Sequence, residues 1–177
     1  MKSRKVINSL WRIAALFLFL YVIFGYQYKL TYNKGESMEP THLDGDWVIV
    51  EKRNYLPENW IPDKYDIVII EEDGRTENLC KRIIGIPGDE LEIKEGYILL
   101  NKKKLKDPFG EGRICYYLTD ENDKDLYYWG TQERVIRYIS QSQITIPEGH
   151  VWVIGDNREA SWFGVLPIKN IRGLVIF

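Results

Sequence analysis

The stretch Leu79-Cys80-Lys81-Arg82-Ile83-Ile84-Gly85-Ile86-Pro87-Gly88-Asp89 places two cations beside an aliphatic pair and then breaks at a turn. Its apolar run is too short for a helix, and Pro-Gly-Asp ends it, so it reads as a strand. With a period of two, Leu79, Lys81 and Ile83 share one face, and Cys80, Arg82 and Ile84 share the other. Lys81 is then expected to point inward and Arg82 outward.

The same pattern recurs on both sides. Trp47–Val50, Ile67–Ile70, Leu91–Ile93, Tyr97–Leu100, Ile144–Ile146, Val151–Ile154 and Leu174–Phe177 are short β-branched or aromatic runs. Between them stand Asp44-Gly45-Asp46, Pro62-Asp63, Asp73-Gly74, Glu95-Gly96, Pro147-Glu148-Gly149 and Gly155-Asp156-Asn157. No long stretch after Gly35 carries a 3.6-residue apolar stripe. The expected fold is mainly β, a compact antiparallel barrel or a set of folded sheets. Residues 101–143 are more polar and turn-rich, and read as an inserted small lobe. Within that lobe, Ile114–Leu118 and Leu126–Trp129 are expected to form a hairpin across an acidic turn.

Before Gly35 the sequence is of another kind. Ile13 to Tyr28 is uncharged, and its centre is almost wholly apolar. Sixteen helical residues rise ~24 Å, short of a ~30 Å hydrocarbon core. Leu10 and Trp11 can extend the segment, and Arg12 and Lys29 can snorkel. A single membrane anchor at 13–28 is the expectation. A cleaved signal peptide is the rival, but Gly25-Tyr26-Gln27-Tyr28-Lys29 lacks small residues at cleavage-site spacing. A buried core helix is the other rival. Lys2, Arg4, Lys5 and Arg12 precede the run and only Lys29 and Lys34 follow it closely, which predicts a cytoplasmic N-terminus (1–12) and an exported body (35–177).

Charge excludes one class of partner. The whole chain carries a net −2, but residues 1–34 hold six basic residues and no acidic one. The remainder therefore has 18 basic and 26 acidic residues, a net of −8. Such a body repels nucleic acid. No Cys/His spacing suggests a metal, and no cofactor is expected. Cys80 and Cys115 allow one disulfide or two buried thiols.

The candidate chemistry lies in Gly35-Glu36-Ser37-Met38-Glu39-Pro40-Thr41 and in Lys81, forty-four residues further on. A serine hydroxyl needs a base to take its proton. His42 is too near Ser37 along the chain to converge easily, and His150 can reach it only through the fold, so a Ser-His-Asp triad is the weaker arrangement. Lysine serves as base when aliphatic neighbours favour its neutral form, and Leu79, Ile83 and Ile84 are at hand. Thiol chemistry at Cys80 has no evident source of thiolate activation.

Taken in order behind an anchor, Gly35–Thr41, Lys81–Asp89 and Gly155-Asp156-Asn157-Arg158-Glu159-Ala160-Ser161 resemble the three boxes of bacterial type I signal peptidases, serine-lysine peptidases of family S26. Gly45–Val48 and Tyr65–Ile69 resemble intervening strands of that family. The length and single anchor are similar to the Gram-positive form. The resemblance implies that Ser37 acylates, Lys81 is the general base and Ser161 orients the lysine amine. It implies that Asp156 and Arg82 brace the site and that Met38 lines the substrate groove. Its substrates would be exported preproteins with Ala-x-Ala-like signal-peptide ends, cut at the face of a lipid bilayer. Position 35 is glycine, so the hydroxyl that assists the oxyanion in part of the family is absent. The chain also departs from the family after Ser161. It runs directly into Trp162-Phe163-Gly164 and lacks the Asp-Ser-Arg segment that usually precedes the next glycine, so the loop is shortened and carries two aromatics, which suggests a narrow substrate set such as pilin or surface-protein precursors. A self-cleaving repressor-type protein and a non-catalytic anchored assembly factor are the alternatives.

Overall fold

A computed structural model describes residues 2–71, 78–118 and 135–177. Helix α1 (Lys2–Gln27) runs directly into strand β1 (Tyr28–Tyr32). Its segment Leu10–Gln27 is long and apolar enough to cross a membrane, and none of it is buried in the protein. The helix's terminal carbonyls need outside donors. Lys52 Nζ supplies them, donating to Gly25 O and Tyr26 O at 2.8 Å each, while Gln27 Nε2 donates to Glu51 Oε1 at 2.7 Å.

The body is antiparallel β. Strands β2 (Trp47–Lys52), β3 (Ile67–Ile70), β4 (Leu79–Gly85), β11 (His150–Ile154), β12 (Phe163–Pro167) and β13 (Ile171–Val175) join β1 in a seven-stranded sheet ordered β1-β2-β13-β3-β4-β11-β12. Strands β5 (Glu90–Lys94), β6 (Tyr97–Leu100), β7 (Lys103–Lys104) and β10 (Gln141–Thr145) form a second sheet, ordered β10-β5-β6-β7. Strands β8 (Cys115–Leu118) and β9 (Val135–Tyr138) make a separate ladder.

Two cores flank β4 and β11. Ile83, Val151 and Val153 pack with Val68, Ile70, Leu166 and Ile171. On the other face, Ile84, Trp152 and Ile154 pack with Leu91, Ile93 and Ile98 of the second sheet. Strands covered on both faces lose the apolar-polar alternation, which is why Ile83-Ile84 and Val151–Ile154 are continuous apolar runs.

The same double burial corrects the expectation for Arg82. Lys81 and Arg82 do take opposite faces, but Arg82 does not reach solvent; both residues are 3% exposed. Strand alternation decides which face a side chain takes, and Asp156, Tyr65 and Phe109 decide that Arg82 is covered there. Three further differences emerge. The sheet begins at Tyr28, before residue 35, because β1 pairs along its length with β2. The partner of β8 is β9; of the expected hairpin, residues 126–129 lie outside the described residues, as does the Asp73-Gly74 turn. Within the expected lobe 101–143, the segment 105–113 hydrogen-bonds through Glu111 into the loop that follows β11.

Candidate active site

Ser37 sits in a single 3-10 turn, Glu36–Met38. Gly35 enters that turn at φ 84°, a conformation that favours glycine. The loop is pinned from within. Asn33 is 3% exposed, and its Nδ2 lies 3.2 Å from Gly35 O, 3.2 Å from His42 O and 3.1 Å from Leu43 O. Asp44 Oδ1 accepts from the Gly35 N–H at 2.7 Å. A buried amide on three loop carbonyls leaves Ser37 little freedom.

β4 brings Lys81 to this loop. Lys81 Nζ donates to Ser37 Oγ at 2.7 Å. Lys81 pairs with Val68 across the strands and shares its face with Ile83, so its surroundings are aliphatic. His42 and His150 make no described side-chain bond to Ser37; His150 Nδ1 lies 2.9 Å from Glu148 O. Burial holds the His42 imidazole below its ordinary value, against the opposing pull of Asp46. Burial likewise pushes the Cys80 thiol up to about 12, so it stays protonated. Cys80 and Cys115 are thiols with no disulfide between them.

Arg82 lies on the opposite face of β4, where Asp156 grips it twice. Arg82 Nε donates to Asp156 Oδ1 at 2.7 Å and NH2 donates to Oδ2 at 2.6 Å. Thr41 Oγ1 donates to the same Oδ2 at 2.5 Å, and Arg82 NH1 donates to Tyr65 O at 2.7 Å. The Phe109 ring lies under the guanidinium, 3.9 Å from its centre. Asp156 is fully buried, so this ion pair is sealed from water. It ties β4, the end of β11 and the Ser37 loop together through Thr41.

The loop after β11 closes the site. A Cβ on Gly155 would collide with the Ser37 carbonyl oxygen and lie 2.6 Å from Ser161 Oγ, so only glycine allows this approach. Asn157 N–H donates to that carbonyl at 3.1 Å. Ser161 Oγ accepts from Gly155 N–H at 2.6 Å and donates to Trp162 O at 2.8 Å. These two bonds hold the loop against Ser37. Met38 is fully buried and packs the Ser37 loop into the body.

Ser37 and Lys81 open into a cavity of about 430 Å³. Val48, Val50, Ile69 and Leu79 supply apolar lining, and Lys29, Lys34, Lys52 and Arg172 supply the charged side chains of its wall; Met38 is not part of it. Among the described residues no cluster of His, Cys, Asp and Glu could hold a metal ion. Asn33 and Phe109 are supporting residues that no local signal in the sequence marks, and Thr41 and Tyr65 stand within marked stretches whose pattern does not show their contacts with Asp156 and Arg82. Arg158 stands within the third motif but carries no mark of its role there.

The arrangement has relatives. The family model described as "Signal peptidase, peptidase S26" matches residues 6–177. Signal peptidase IB of Staphylococcus aureus (strain COL) is 30% identical over 180 residues, covering 99% of this chain and 90% of its own. Signal peptidase I of Streptococcus pneumoniae serotype 4 is 26% identical over 79% of this chain and 76% of its own. A crystal structure of a signal peptidase I from Enterococcus faecalis V583 covers 65% of this chain and 97% of its own, at 23% identity and a TM-score of 0.41. The extent of the family match, joined to a relative aligned over nearly the whole chain, establishes that this protein is a peptidase belonging to the signal peptidase family, peptidase S26.

Proposed function

We propose that the chain removes N-terminal signal peptides from exported preproteins, with Ser37 as nucleophile and Lys81 as general base. The observation that supports this most is the 2.7 Å contact between Lys81 Nζ and Ser37 Oγ at a 3%-exposed lysine. The neutral amine takes the hydroxyl proton as Oγ attacks the scissile carbonyl carbon. The carbonyl becomes an oxyanion facing the Ser37 N–H, which lies in the first turn of a 3-10 helix where backbone donors lack intrahelical acceptors. The resulting ammonium gives its proton to the leaving amine as the C–N bond breaks. Water then attacks the acyl ester while Lys81 takes its proton; Lys81 passes that proton to Oγ as the C–O bond breaks, which restores the serine hydroxyl and releases the peptide's new carboxyl end.

Asp156 and Arg82 brace the loop through Thr41, and Ser161 holds Gly155 against Ser37. The cavity, with Val48, Val50, Ile69 and Leu79 leading to Ser37, suits an extended peptide with small side chains of the Ala-x-Ala type. Helix α1 anchors the protein in the plasma membrane with its N-terminus cytoplasmic and its body outside, at the face where such peptides emerge. The aromatic pair Trp162-Phe163 beside Ser161 narrows the range, with pilin or surface-protein precursors as the expected class.

The test is cleavage of a preprotein ending its signal in Ala-x-Ala by the detergent-solubilised chain, beside Ser37→Ala and Lys81→Met. Cleavage by the parent alone, after the small residue, is expected. Substrate bound but uncut by all three would refute the catalytic assignment and favour an assembly factor. Equal cleavage across a broad preprotein panel would refute the narrow range.

A further inference from the structure

The Ser37 carbonyl rests on Gly155 and on the Asn157 N–H, so whatever fixes the 155–158 loop also fixes Ser37. Two backbone bonds do so from the far side. Glu111 N–H donates to Asp156 O at 2.8 Å, and Arg158 N–H donates to Glu111 O at 2.9 Å. The third tie is a side chain. Arg158 reaches back to donate to Gly155 O from NH1 at 2.8 Å, and its NH2 forms an ion pair with Asp107. The two side chains are 5% and 8% exposed. Asp107 is itself fixed, because its Oδ1 accepts from Phe109 N–H at 2.9 Å. Gly110 has no side chain where one would collide with the guanidinium.

We propose that Asp107 is a positioning residue for catalysis: its buried ion pair with Arg158 clamps the Gly155 carbonyl and thereby holds the Ser37 backbone in its reactive place. The segment 105–113 is then a working part of the active site, supplied by what reads in the sequence as an appended lobe. A guanidinium bonded to one neutral carbonyl is not stable in a dry pocket. Burial already presses against the charge on Arg158, and the Asp107 carboxylate is the chief opposing influence. Without Asp107 the arginine turns outward and the carbonyl loses its donor. The proposal rests on the reading of Ser37 as nucleophile.

The test separates positioning from stability by charge balance. Asp107→Asn leaves a buried cation unpaired and is expected to lower both Tm and kcat. The double variant Asp107→Asn/Arg158→Met buries no charge, so its Tm should return close to the parent's. Its Gly155 carbonyl still lacks a donor, so kcat should stay down by about tenfold or more with KM within about twofold. Recovery of kcat together with Tm in the double variant overturns the proposal. A second readout needs no activity. In a Ser37→Ala background, amide hydrogen exchange at Gly155 and Asn157 should rise by about tenfold in the double variant at parental Tm. Unchanged exchange overturns the proposal as well. Loss of the catalytic assignment itself is distinguished by a parent that cleaves no better than Ser37→Ala.

Discussion

Replacing Asp156 by Asn changes one atom and should cost the protein a large part of its stability. Asp156 is 0% exposed and its Arg82 partner's side chain is 4% exposed. The carboxylate accepts three hydrogen bonds, two from Arg82 and one from Thr41. Asparagine keeps one oxygen but turns an NH2 toward a donor, and Arg82 loses its counter-charge. Each charge-assisted bond carries about 1.5–3 kcal/mol, and removing one partner of a buried pair costs about 3–5 kcal/mol. An exposed pair of the same length would cost only about 0.2–1 kcal/mol. Burial decides between these, so about 4 kcal/mol is expected, against a typical total of about 5–15 kcal/mol. Urea unfolding of the detergent-solubilised protein, followed by tryptophan fluorescence, measures it. Trp152 is 1% exposed and reports on the core next to the pair. A loss under about 1 kcal/mol with an unchanged m-value would show that water reaches the pair, and would refute the sealed brace.

Two further outcomes follow from the geometry. Gly155→Ala pushes a methyl group into the Ser37 carbonyl, so kcat should fall by about a hundredfold or more while most of the stability is kept; near-parental turnover would show that the loop yields without moving Ser37. Burial tends to raise the Asp89 carboxyl, but bonds from Ile86 N–H, Asn101 and Lys64 outweigh it and hold the group below its ordinary value of 3.8. A depressed carboxyl stabilises above its unfolded value and loses that contribution as pH falls through the folded one. Asp89→Asn should therefore be less stable than the parent at pH 6, with the gap closing below pH 3.8; a gap independent of pH would refute the electrostatic account.

The sequence made the strands legible wherever a β-branched run met a turn, and its motifs marked Ser37 and Lys81, whose side chains the structure brings to 2.7 Å. What stayed hidden depends on distant contacts. Asn33 is one polar residue between Tyr32 and Lys34, and nothing local says that its amide will be enclosed by the 35–43 loop. Thr41 acts on Asp156 from 115 positions away. Strand β12 was masked by Gly164 and Pro167, which an edge strand tolerates. Strand β1 does alternate, with Tyr28, Leu30 and Tyr32 on one face and Lys29 and Thr31 on the other. Its closeness to the apolar helix made it read as flank.

The pair Lys81-Arg82 shows how the covering of each face of β4 matters to the chemistry. Adjacent residues on a strand face opposite ways, so one strand can carry two cations into two different surroundings. Arg82 faces the carboxylate of Asp156, the Tyr65 carbonyl and an aromatic ring, an arrangement that rewards a permanent charge. Lys81 meets a hydroxyl amid Val68 and Ile83, the surroundings in which the proposed base would work. Exchanging the two residues would put the permanent charge beside the proposed nucleophile and the lysine amine beside the carboxylate. Neither position would then serve, because guanidinium cannot take a proton and an ammonium cannot bridge both oxygens in a planar fork. The segment from Asp107 to Glu111 seals the Arg82 side, through Phe109 beneath the guanidinium and Glu111 on the Asp156 backbone. Chain that looks peripheral in the sequence thus maintains the difference between two neighbouring cations on which the proposed reaction depends.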